Sequence, residues 1–550
     1  MNHFSLLALI VLSLALTPLA VADDAPTRRP NIVFIIADDF SDDLAGFING
    51  KVDTPALDRL AVEGAYFPRA YAASSVCSPS RYTCLTGQFA SRSTTPQFLR
   101  ERSPEGMTQV RWNMGIGDDQ LTLPKLLSED GYATGFVGKW HINGIGRPPY
   151  LPKGADIHDP EVIAHLQADQ VHYTKELKKF GFTDVRNVYP GNPQQDHNLI
   201  AMGLSLHHPE WQSQGALGFI EDHNDEPFYL YYGLTMPHYP HPHESLQSDP
   251  LLTPVGPIDK PIQAGMPSRE EVLKQVQDAN LPKELWGGVW IDHQVQAVLD
   301  KLDELGIADN TLVVFFNDNG MEDESKGSNY EGGIVSQTMF FWPGTIKPGD
   351  RDPMIQNTDF VPTFLDLAGV TPPAEMHLDG YSLKPMLLSQ DDSPVRDAVF
   401  SEIGLTRAVT TADGWKYLAF RVPPSLQRTH AERMADQHQV LANINENQPW
   451  TVGSPGFDLD PEARYFHLGS EPGGGFLERL TARSKPPYWP SYFDADQLFN
   501  LNDDPLETTN LADDPAYAEK LAEMKQLLRD HLADMPGTFA ELKPDDARVD

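Results

Sequence analysis

The chain has 550 residues and a formal net charge of −36, from 42 basic and 78 acidic side chains. This balance excludes proteins that coat nucleic acid or anionic lipid, because both need an excess of basic surface. Hydrophobic residues make up 40% of the chain and only 2 residues are cysteine, which excludes a disordered polymer and a disulfide-stapled scaffold. At about 100–200 residues per domain, the length predicts two unequal domains.

The first 22 residues have the form of a secretory signal. Residues 6–16 are an apolar run too short to span a bilayer, and Ala20-Val21-Ala22 has the small-x-small pattern of a cleavage site. The alternative is a buried N-terminal helix, but the run has no amphipathic period. No later apolar stretch has spanning length. We therefore predict a signal peptide at 1–22 and an exported protein, periplasmic or secreted, without a membrane span.

Four segments share one pattern, in which a short apolar run is followed abruptly by polar residues. Continuous apolar runs of this length are typical of strands buried on both faces, as in a parallel sheet. The runs are 31–37 before Asp38-Asp39, 134–138 before Lys139-Trp140-His141, 228–235 before Pro237-His238, and 311–316 before Asn317-Asp318-Asn319-Gly320.

Helical patterns lie between these runs. Thr54-Pro55 supplies an N-cap and a first-turn proline, and Gly64 ends that helix. Apolar residues from Ile291 to Leu305 recur at helical spacing. The alternation predicts a large α/β domain with a doubly wound, mostly parallel sheet. Ligands bind beyond the carboxyl ends of the strands in such sheets, so we expect the four polar clusters to form one site.

The pattern changes after about residue 395. Asp413-Gly414 reads as a two-residue hairpin turn between strands at 408–411 and 415–420, and residues 515–532 have the period of an amphipathic helix. We predict a catalytic domain at 23–395 and a smaller C-terminal α+β domain at 396–550. Two stretches without a clear period, about 142–224 and 421–490, are expected to be long loops that serve as lids or binding walls.

One segment, from Cys77 to Gly87, carries the most specific chemical signal. It puts a thiol at a predicted helix start, where amide dipoles favour an anion, with Arg81 on the same helical face. The ordinary alternative for a free cysteine is a small buried side chain. We interpret Cys84 in that way, because it lies about two helical turns from Cys77 and too far for a disulfide.

The same segment resembles in full the C-x-P-S-R-x-x-x-L-T-G signature of the formylglycine-dependent sulfatases, the type I sulfatases of the alkaline phosphatase superfamily. The resemblance covers about residues 29–390 strongly and 397–535 weakly. It departs at Ile334-Val335-Ser336-Gln337, where relatives commonly have an Arg-Val-Pro-like segment near the mouth of the site. The four polar clusters stand in the family's order, as do Lys326-Gly327, Tyr330-Glu331-Gly332-Gly333 and Trp342-Pro343-Gly344.

The resemblance implies an alkaline phosphatase-like fold and an enzyme that hydrolyses sulfuric esters and releases inorganic sulfate. It implies that a formylglycine-generating enzyme oxidises Cys77 to formylglycine before export. The hydrated aldehyde is then the nucleophile: one hydroxyl attacks sulfur, and the other expels sulfate by re-forming the aldehyde. The implied cofactor is one calcium ion, which suits hard oxygen ligands. Its ligands would be Asp38, Asp39, Asp318, Asn319 and an oxygen of residue 77.

The resemblance also assigns roles to the basic residues. Arg81 and Lys139 steady the hydrate, and His141 assists its breakdown. Lys326 and His238 hold the sulfate, with His238 as the better proton donor near neutral pH. Asp318 is also the candidate for taking the proton of the attacking hydroxyl.

Export and long loops favour a sulfated sugar of an extracellular polysaccharide as substrate, with simple aryl sulfates also accepted. Two alternatives stay open: a phosphonate or phosphodiester hydrolase of the same superfamily, and a non-catalytic sulfated-glycan-binding protein in which Cys77 stays a thiol. Asp292 is interpreted as structural. The candidate pocket walls in the two long stretches and beside His238 are Arg147, His207, His208, Trp211, His241, His243 and Trp450.

Overall fold

The computed structural model describes residues 28–322, 325–389, 393–432, 434–435 and 489–544. The predicted signal peptide at 1–22 and the candidate wall residue Trp450 therefore lie outside the described residues. The strands are β1 (Asn31–Asp38), β2 (Ala65–Phe67), β3 (Ala70–Tyr71), β4 (Ala133–Lys139), β5 (Asp184–Tyr189), β6 (Phe228–Pro237), β7 (Leu252–Thr253), β8 (Gly256–Pro257), β9 (Thr311–Asn317), β10 (Thr338–Phe341), β11 (Gly349–Asp350), β12 (Ile355–Gln356), β13 (Ala398–Ile403), β14 (Thr406–Thr411), β15 (Trp415–Phe420) and β16 (Asp496–Asn500).

Helices connect these strands and cover the sheets. Most are short, and the longest pack against the central sheet or its edges. They are α1 (Gly46–Asn49), α2 (Pro55–Glu63), α3 (Cys77–Thr86), α4 (Pro96–Arg100), α5 (Leu123–Glu129), α6 (Pro160–Leu177), α7 (His197–Met202), α8 (Pro209–Asp222), α9 (Pro242–Leu246), α10 (Arg269–Asp278), α11 (Trp286–Glu304), α12 (Glu331–Ile334), α13 (Phe360–Ala368), α14 (Lys384–Leu388) and α15 (Ala518–Asp534).

A large sheet lies at the centre of the described chain, and its eight strands run in the order β11-β2-β10-β9-β1-β6-β4-β5. The strands β9, β1, β6, β4 and β5 are parallel to one another, whereas β10 is antiparallel to β9 and β2. The predicted mostly parallel sheet is therefore confirmed. The four apolar runs correspond to β1, β4, β6 and β9, which are adjacent in the order β9-β1-β6-β4, so their polar carboxyl ends lie side by side.

The central strand β1 packs helices on both of its faces. Ile32, Phe34 and Ile36 belong to one core cluster with residues of α3, α5 and α13, whereas Val33 and Ile35 belong to a second cluster with residues of α2, α8 and α11. Alternate side chains of a strand point to opposite faces of its sheet. This two-sided cover confirms the doubly wound α/β architecture.

Helix α2 starts at Pro55 and is followed by Gly64, as predicted, but Thr54 makes no side-chain cap. The cap comes instead from α11, where buried Asp292 accepts a hydrogen bond from the Leu57 amide at 2.8 Å. A carboxylate there satisfies an amide that has no partner within the helix. Asp292 thus contacts a helix end on the face of the sheet, consistent with the structural interpretation.

The expectation of a long loop at 142–224 is wrong. This stretch contains the 18-residue helix α6, the edge strand β5 and the helices α7 and α8. Helix α6 buries Val162, Leu166, Tyr173 and Leu177. Apolar residues off this face, such as the exposed Val171, obscure the helical period in the sequence. In the other stretch, 421–490, residues 436–488 lie outside the described residues.

A second, antiparallel sheet is formed by β13, β14, β15 and β16 in that order. Helix α15 covers it with Met524, Leu528 and Leu532, starting three residues later than residue 515 because a 3-10 turn precedes it. The predicted smaller C-terminal α+β unit is therefore confirmed. Within the described ranges, no helix is both long and apolar enough to cross a bilayer.

One buried cation connects the second sheet to the first. Lys416 of β15 is fully buried, and its Nζ lies 2.9 Å from Glu331 Oε1 of α12 and 2.9 Å from Glu507 Oε1. Glu331 also accepts a hydrogen bond at 3.0 Å from the hydroxyl of Tyr71 in β3. This cluster of two carboxylates and one ammonium group therefore joins β15 to α12, the helix that precedes β10 of the first sheet.

Candidate functional site

The structure brings all the predicted site residues to the carboxyl ends of β1, β4, β6 and β9. Cys77 is the first residue of α3, which lies against these strand ends. Its Sγ donates to Asp38 Oδ1 at 3.1 Å and lies 3.8 Å from Asp39 Oδ1. Lys326 Nζ and Asn319 Nδ2 approach the same sulfur at 3.5 and 3.7 Å. Position 77 is thus the centre of the cluster.

The thiol of Cys77 is poorly placed to ionise. Burial raises its pKa well above the usual value, and Asp318 and Asp38 raise it further, against the opposing effect of Lys139 and Lys326. The helix start alone would favour a thiolate, but burial and two nearby carboxylates outweigh it. An unmodified Cys77 is therefore a weak nucleophile in this site.

Two cations lie fully buried beneath position 77. Arg81 Nε donates to Asp318 Oδ2 at 2.8 Å, and its Nη1 donates to the Lys139 carbonyl oxygen at 3.3 Å. Lys139 Nζ forms an ion pair with Asp38 Oδ2. A side chain at Gly233 of β6 would meet the Lys139 carbonyl at 2.5 Å and Arg81 Nη1 at 3.1 Å, so the guanidinium needs a glycine at this position of β6.

Three carboxylates and one amide form an oxygen-rich group beside the sulfur. The ligand atoms of Asp38, Asp39, Asp318 and Cys77 lie within 4.8 Å of one another. Asn319 Nδ2 donates to Asp318 Oδ1 at 2.6 Å and to Asp39 Oδ1 at 3.1 Å, while its Oδ1 is buried without a hydrogen-bond partner among the described residues. An orphaned acceptor among clustered carboxylates fits a hard divalent cation such as calcium.

The local charges act differently on the carboxylates of this group. Burial alone raises the pKa of a carboxyl group, but Lys139, His238 and Arg81 outweigh it and hold the pKa of Asp38 well below its usual value. Burial dominates at Asp318 and raises its pKa to about 6, although Arg81 opposes this. Close carboxylates repel one another when ionised. A bound cation would remove that repulsion.

Two residues of the site have a left-handed backbone, with φ of +64° at Asp39 and +55° at His141. Such angles are uncommon outside glycine and are often found at functional positions. The turn at Asp39 brings its carboxylate to Lys326, whose Nζ donates to Oδ1 at 2.5 Å and to Oδ2 at 2.6 Å. Although burial opposes its charge, Asp39 raises the pKa of Lys326, so this side chain stays cationic.

His238 directly follows β6 and lies beside the oxygen-rich group. Its Nδ1 donates to the Tyr239 carbonyl at 2.8 Å, and its Nε2 accepts from Asn192 Nδ2 at 3.1 Å and lies 3.6 Å from Asp39 Oδ2. Burial lowers the pKa of His238, although Asp38 and Asp39 oppose the shift. The sequence analysis does not identify Asn192, which lies in the stretch predicted to be a loop and has no motif of its own.

His141 lies at the inner edge of a cavity of about 150 Å³. Its Nδ1 is buried without a hydrogen-bond partner in the described part of the chain, and burial together with Lys139 holds its pKa well below the usual value. The ring is therefore neutral and free to accept or donate at that nitrogen. The cavity walls include His141, Arg147, Tyr150, Gly191, Gln195 and His197.

The candidate wall residues separate into two groups. Arg147 lines this cavity, and His241 is exposed with its ring stacked on that of His243 at 5.4 Å. The assignment of His207, His208 and Trp211 as walls is wrong, because all three are buried around the start of α8.

His207 is instead a support for the turn that carries His238. Its Nε2 lies 2.8 Å from the carbonyl oxygens of His238 and Pro240, and its Nδ1 lies 2.8 Å from Thr235 Oγ1.

The segment 334–337 is also not a wall of the mouth. Ile334 and Ser336 are buried, and the Ser336 amide donates to the Ala70 carbonyl of β3 at 2.9 Å.

Comparison with known proteins gives consistent matches. The sulfatase family model matches residues 30–370, more than half of the chain. Arylsulfatase A of Bos taurus is 30% identical over 498 residues, which cover 84% of this chain and 87% of that protein. Human N-acetylgalactosamine-6-sulfatase is 30% identical over 395 residues, which cover 67% of each chain.

Solved structures share the same fold. One solved structure comes from work on the metabolism of multiple glycosaminoglycans by Bacteroides thetaiotaomicron. It superposes on this chain with a TM-score of 0.58 and 20% identity. The alignment covers 92% of this chain and 99% of that one. At this identity the likeness supports the fold alone.

Proposed function

We propose a reaction for this chain, which belongs to the sulfatase family and is therefore a sulfatase. It releases inorganic sulfate from a sulfated saccharide, and its nucleophile is a formylglycine at position 77. The family resemblance inferred from the signature is confirmed by the family match. The observation that supports the chemistry is the position of residue 77, which lies within 3.8 Å of Asp38 and Asp39 at the end of β1 and of Asn319 and Lys326 after β9.

Conversion of Cys77 to formylglycine gives a nucleophile that does not depend on ionisation of the thiol. The buried thiol resists ionisation, whereas a hydrated aldehyde supplies two neutral hydroxyls, one to attack and one to re-form the aldehyde. Arg81 and Lys139 lie beneath position 77 and orient its oxygens. Asp318 Oδ2 accepts from Arg81, and we assign to this carboxylate the proton of the attacking hydroxyl.

A calcium ion would be held by Asp38, Asp39, Asp318, Asn319 and an oxygen of residue 77. The orphaned Asn319 Oδ1 and the absence of imidazole from this ligand set support an oxygen-liganded cation. When bound, such an ion supplies positive charge that polarises the sulfate. In a chain with net charge −36, local cations are needed to bring an anionic ester to the site.

Lys326 and His238 are assigned to the sulfate and its leaving oxygen. Lys326 stays cationic beside Asp39 and binds the anionic ester. The Nδ1–H of His238 is held by the Tyr239 carbonyl, which leaves Nε2 facing the reaction centre beside Asp39 and Asn192. An anion beside an imidazole favours its charged form, so ester binding promotes protonation of Nε2, which then donates to the leaving oxygen. His141, neutral and unpartnered at Nδ1, assists the breakdown of the hydrate.

The substrate class is a sulfated saccharide. One relative is named N-acetylgalactosamine-6-sulfatase, and the cavity beside His141 offers hydroxyl-binding amides and exposed rings of the kind that bind sugars. We further propose that residues 1–22 direct export after a formylglycine-generating enzyme has acted. The N-terminus of protein recovered outside the cytoplasm should then be Asp23.

The test begins with the tryptic peptide of residues 70–81, weighed by mass spectrometry after co-expression with a formylglycine-generating enzyme. We expect an aldehyde at position 77 and, from the same preparation, release of sulfate from 4-nitrophenyl sulfate and from a sulfated sugar. Hydrolysis of a phosphonate ester or of a phosphodiester, measured by the alcohol released, at a higher kcat/KM than sulfate esters would favour the phosphoesterase alternative. A persistent thiol with saccharide binding and no turnover would favour the non-catalytic one.

A further inference from the structure

The cavity of about 150 Å³ continues the site outward from His141. The His141 amide donates to the Pro190 carbonyl at 3.1 Å, which joins the end of β4 to the segment that carries Gly191 and Asn192. Pockets for drug-sized ligands enclose about 300–1,000 Å³. This cavity is smaller, so it accommodates one ring edge or one substituent next to the sulfated position.

The cation at the outer wall of the cavity is not neutralised. Arg147 is exposed, and its Nη1 lies 3.3 Å from His197 Nε2 and 3.5 Å from the Tyr150 hydroxyl. Neither partner is a carboxylate, and within the described ranges no carboxylate lies at ion-pair distance from Arg147. In a chain with 78 acidic and 42 basic side chains, an unpaired arginine on a cavity wall indicates an anionic ligand.

Asp196 is the one carboxylate among the residues that line the cavity, and both of its oxygens accept hydrogen bonds from neighbouring groups. Asp196 Oδ1 accepts from the amides of Asn198 and Leu199 at 2.9 and 3.1 Å, as the cap of α7. Its Oδ2 accepts from the Tyr173 hydroxyl at 3.1 Å. The charge of Asp196 is therefore directed at a helix start and does not neutralise Arg147.

The segment that carries Arg147 is held in place on both sides. The Gly146 carbonyl lies 2.7 Å from His172 Nε2. The Pro149 carbonyl lies 2.8 Å from His165 Nε2 and accepts from Asn198 Nδ2 at 3.0 Å. These contacts fix the backbone on both sides of Arg147 before any ligand binds, which lowers the entropic cost of binding.

Exposed rings lie beside the guanidinium. Tyr150 is 60% exposed, and its ring centre lies 4.8 Å from that of His197. Ring faces of this kind pack against the C–H face of a sugar, and their polar ends hydrogen-bond to its hydroxyls. A planar guanidinium binds a carboxylate or sulfate through two parallel hydrogen bonds.

We propose that this cavity binds a second anionic group of the substrate, a carboxylate or a second sulfate on the sulfated sugar or on the sugar next to it, through Arg147. The inference rests on the proposed sulfatase function for the position of the first sulfate. It assigns Arg147 as a specificity-determining residue, with Tyr150 and His197 as the surface on which the sugar lies.

The test measures binding by calorimetry, because binding does not require turnover. The full exported chain, with Cys77 unconverted, is titrated with matched ligands: N-acetylgalactosamine 6-sulfate against its 4,6-disulfate, glucosamine 6-sulfate against its 2-N,6-O-disulfate, and a sulfated uronate-containing disaccharide against its carboxyl-reduced form. We expect at least one doubly anionic member to bind about tenfold more tightly than its partner. The first two pairs report on a second sulfate and the third on a carboxylate.

Arg147→Ala should reduce that ratio to below about twofold, and Arg147→Lys should leave an intermediate ratio, because an ammonium group lacks the bidentate geometry. Arg28→Ala, at an exposed arginine before the opposite end of β1, is the matched control and should keep the native ratio. Equal binding within every pair, or an unchanged ratio in Arg147→Ala, overturns the proposal. A different result would contradict the proposed function alone. The protein would keep the native binding ratio within each ligand pair, but the converted protein would release no sulfate from 4-nitrophenyl sulfate.

Discussion

The inner and outer parts of the site differ in how they are built. Asp38, Asp318, Asn319, Arg81 and Lys139 are completely buried and belong to strand ends or to the helix α3. The outer cavity is lined mostly by residues on the segments between β4 and β6, among them the exposed side chains Arg147, Tyr150, Gln195 and His197. Rigid elements fix reacting groups accurately, whereas surface connections tolerate change. The difference indicates that this fold separates sulfate chemistry from the choice of sugar.

The largest expected effect tests whether the inner part depends on position 77. Loss of the nucleophile in another covalent hydrolase costs about 10⁶-fold in kcat, so Cys77→Ala should release no detectable sulfate. Cys84→Ala is the control, because Cys84 is buried on the same helix away from the carboxylates. It should keep its activity and lose about 1 kcal/mol of stability. Sulfate release by Cys77→Ala at the native rate would remove the nucleophile assignment.

The next effect tests the oxygen group. Asp318→Asn should lose calcium and sulfatase activity together, because it removes one ligand charge and leaves a single acceptor oxygen where the native carboxylate has one for the cation and one for Arg81. Metal content by mass spectrometry and turnover of 4-nitrophenyl sulfate measure the two losses. Dialysis against a calcium chelator should also abolish turnover of the native enzyme, and added calcium should restore it.

Asp292→Asn is the matched control for the metal experiment. Asp292 is a buried carboxylate that accepts from the Leu57 amide, a role that an amide oxygen also fills. This variant should bind calcium as the native enzyme does. Tight calcium binding by Asp318→Asn would contradict the proposed ligand set.

The next effect is smaller and depends on the substrate, and it concerns the proposed proton donor His238. His238→Ala should lower kcat on saccharide sulfates by about 10²–10⁴-fold, the usual contribution of general acid catalysis. On 4-nitrophenyl sulfate it should lower kcat by less than about tenfold, because a nitrophenolate leaves without a proton. Initial rates on the two substrates give the comparison. Equal losses on both would show that His238 is not the proton donor.

The smallest effect concerns the outer cavity alone. Tyr150→Ala should raise KM for a saccharide sulfate by about two- to tenfold, through loss of one ring contact, and leave kcat within about twofold. Steady-state kinetics on a sulfated sugar measure both constants. A loss of kcat as large as that of His238→Ala would mean that the inner and outer parts are not separable.

The inner site was largely predictable from the sequence for a physical reason. Apolar runs buried on both faces mark β1, β4, β6 and β9, and polar residues directly after them lie at one edge of a parallel sheet. Arg81 was placed near Cys77 by helical spacing, and the structure puts both against Asp318 or Asp38.

The outer part was less predictable. Helix α6 carries apolar residues such as Val171 outside its buried face, so its period is weak and the sequence pattern predicts a loop there. Asn192 contacts His238 from a connection between β5 and α7, and no local pattern predicts which loop residue reaches a distant strand end. His207 has the residue type of a binding wall, but tertiary packing buries it.

Lys416, with Glu331 and Glu507 around it, has a consequence for how the molecule unfolds. Removing one partner of a buried ion pair costs about 3–5 kcal/mol, so separating the second sheet from the first would leave Glu331 without its cation. The Glu331 amide also donates to Glu507 Oε2 at 2.6 Å, which adds a backbone bond across the same boundary. The two sheets therefore belong to one cooperative unit. In urea, tryptophan fluorescence and enzymatic activity should be lost in a single coincident transition.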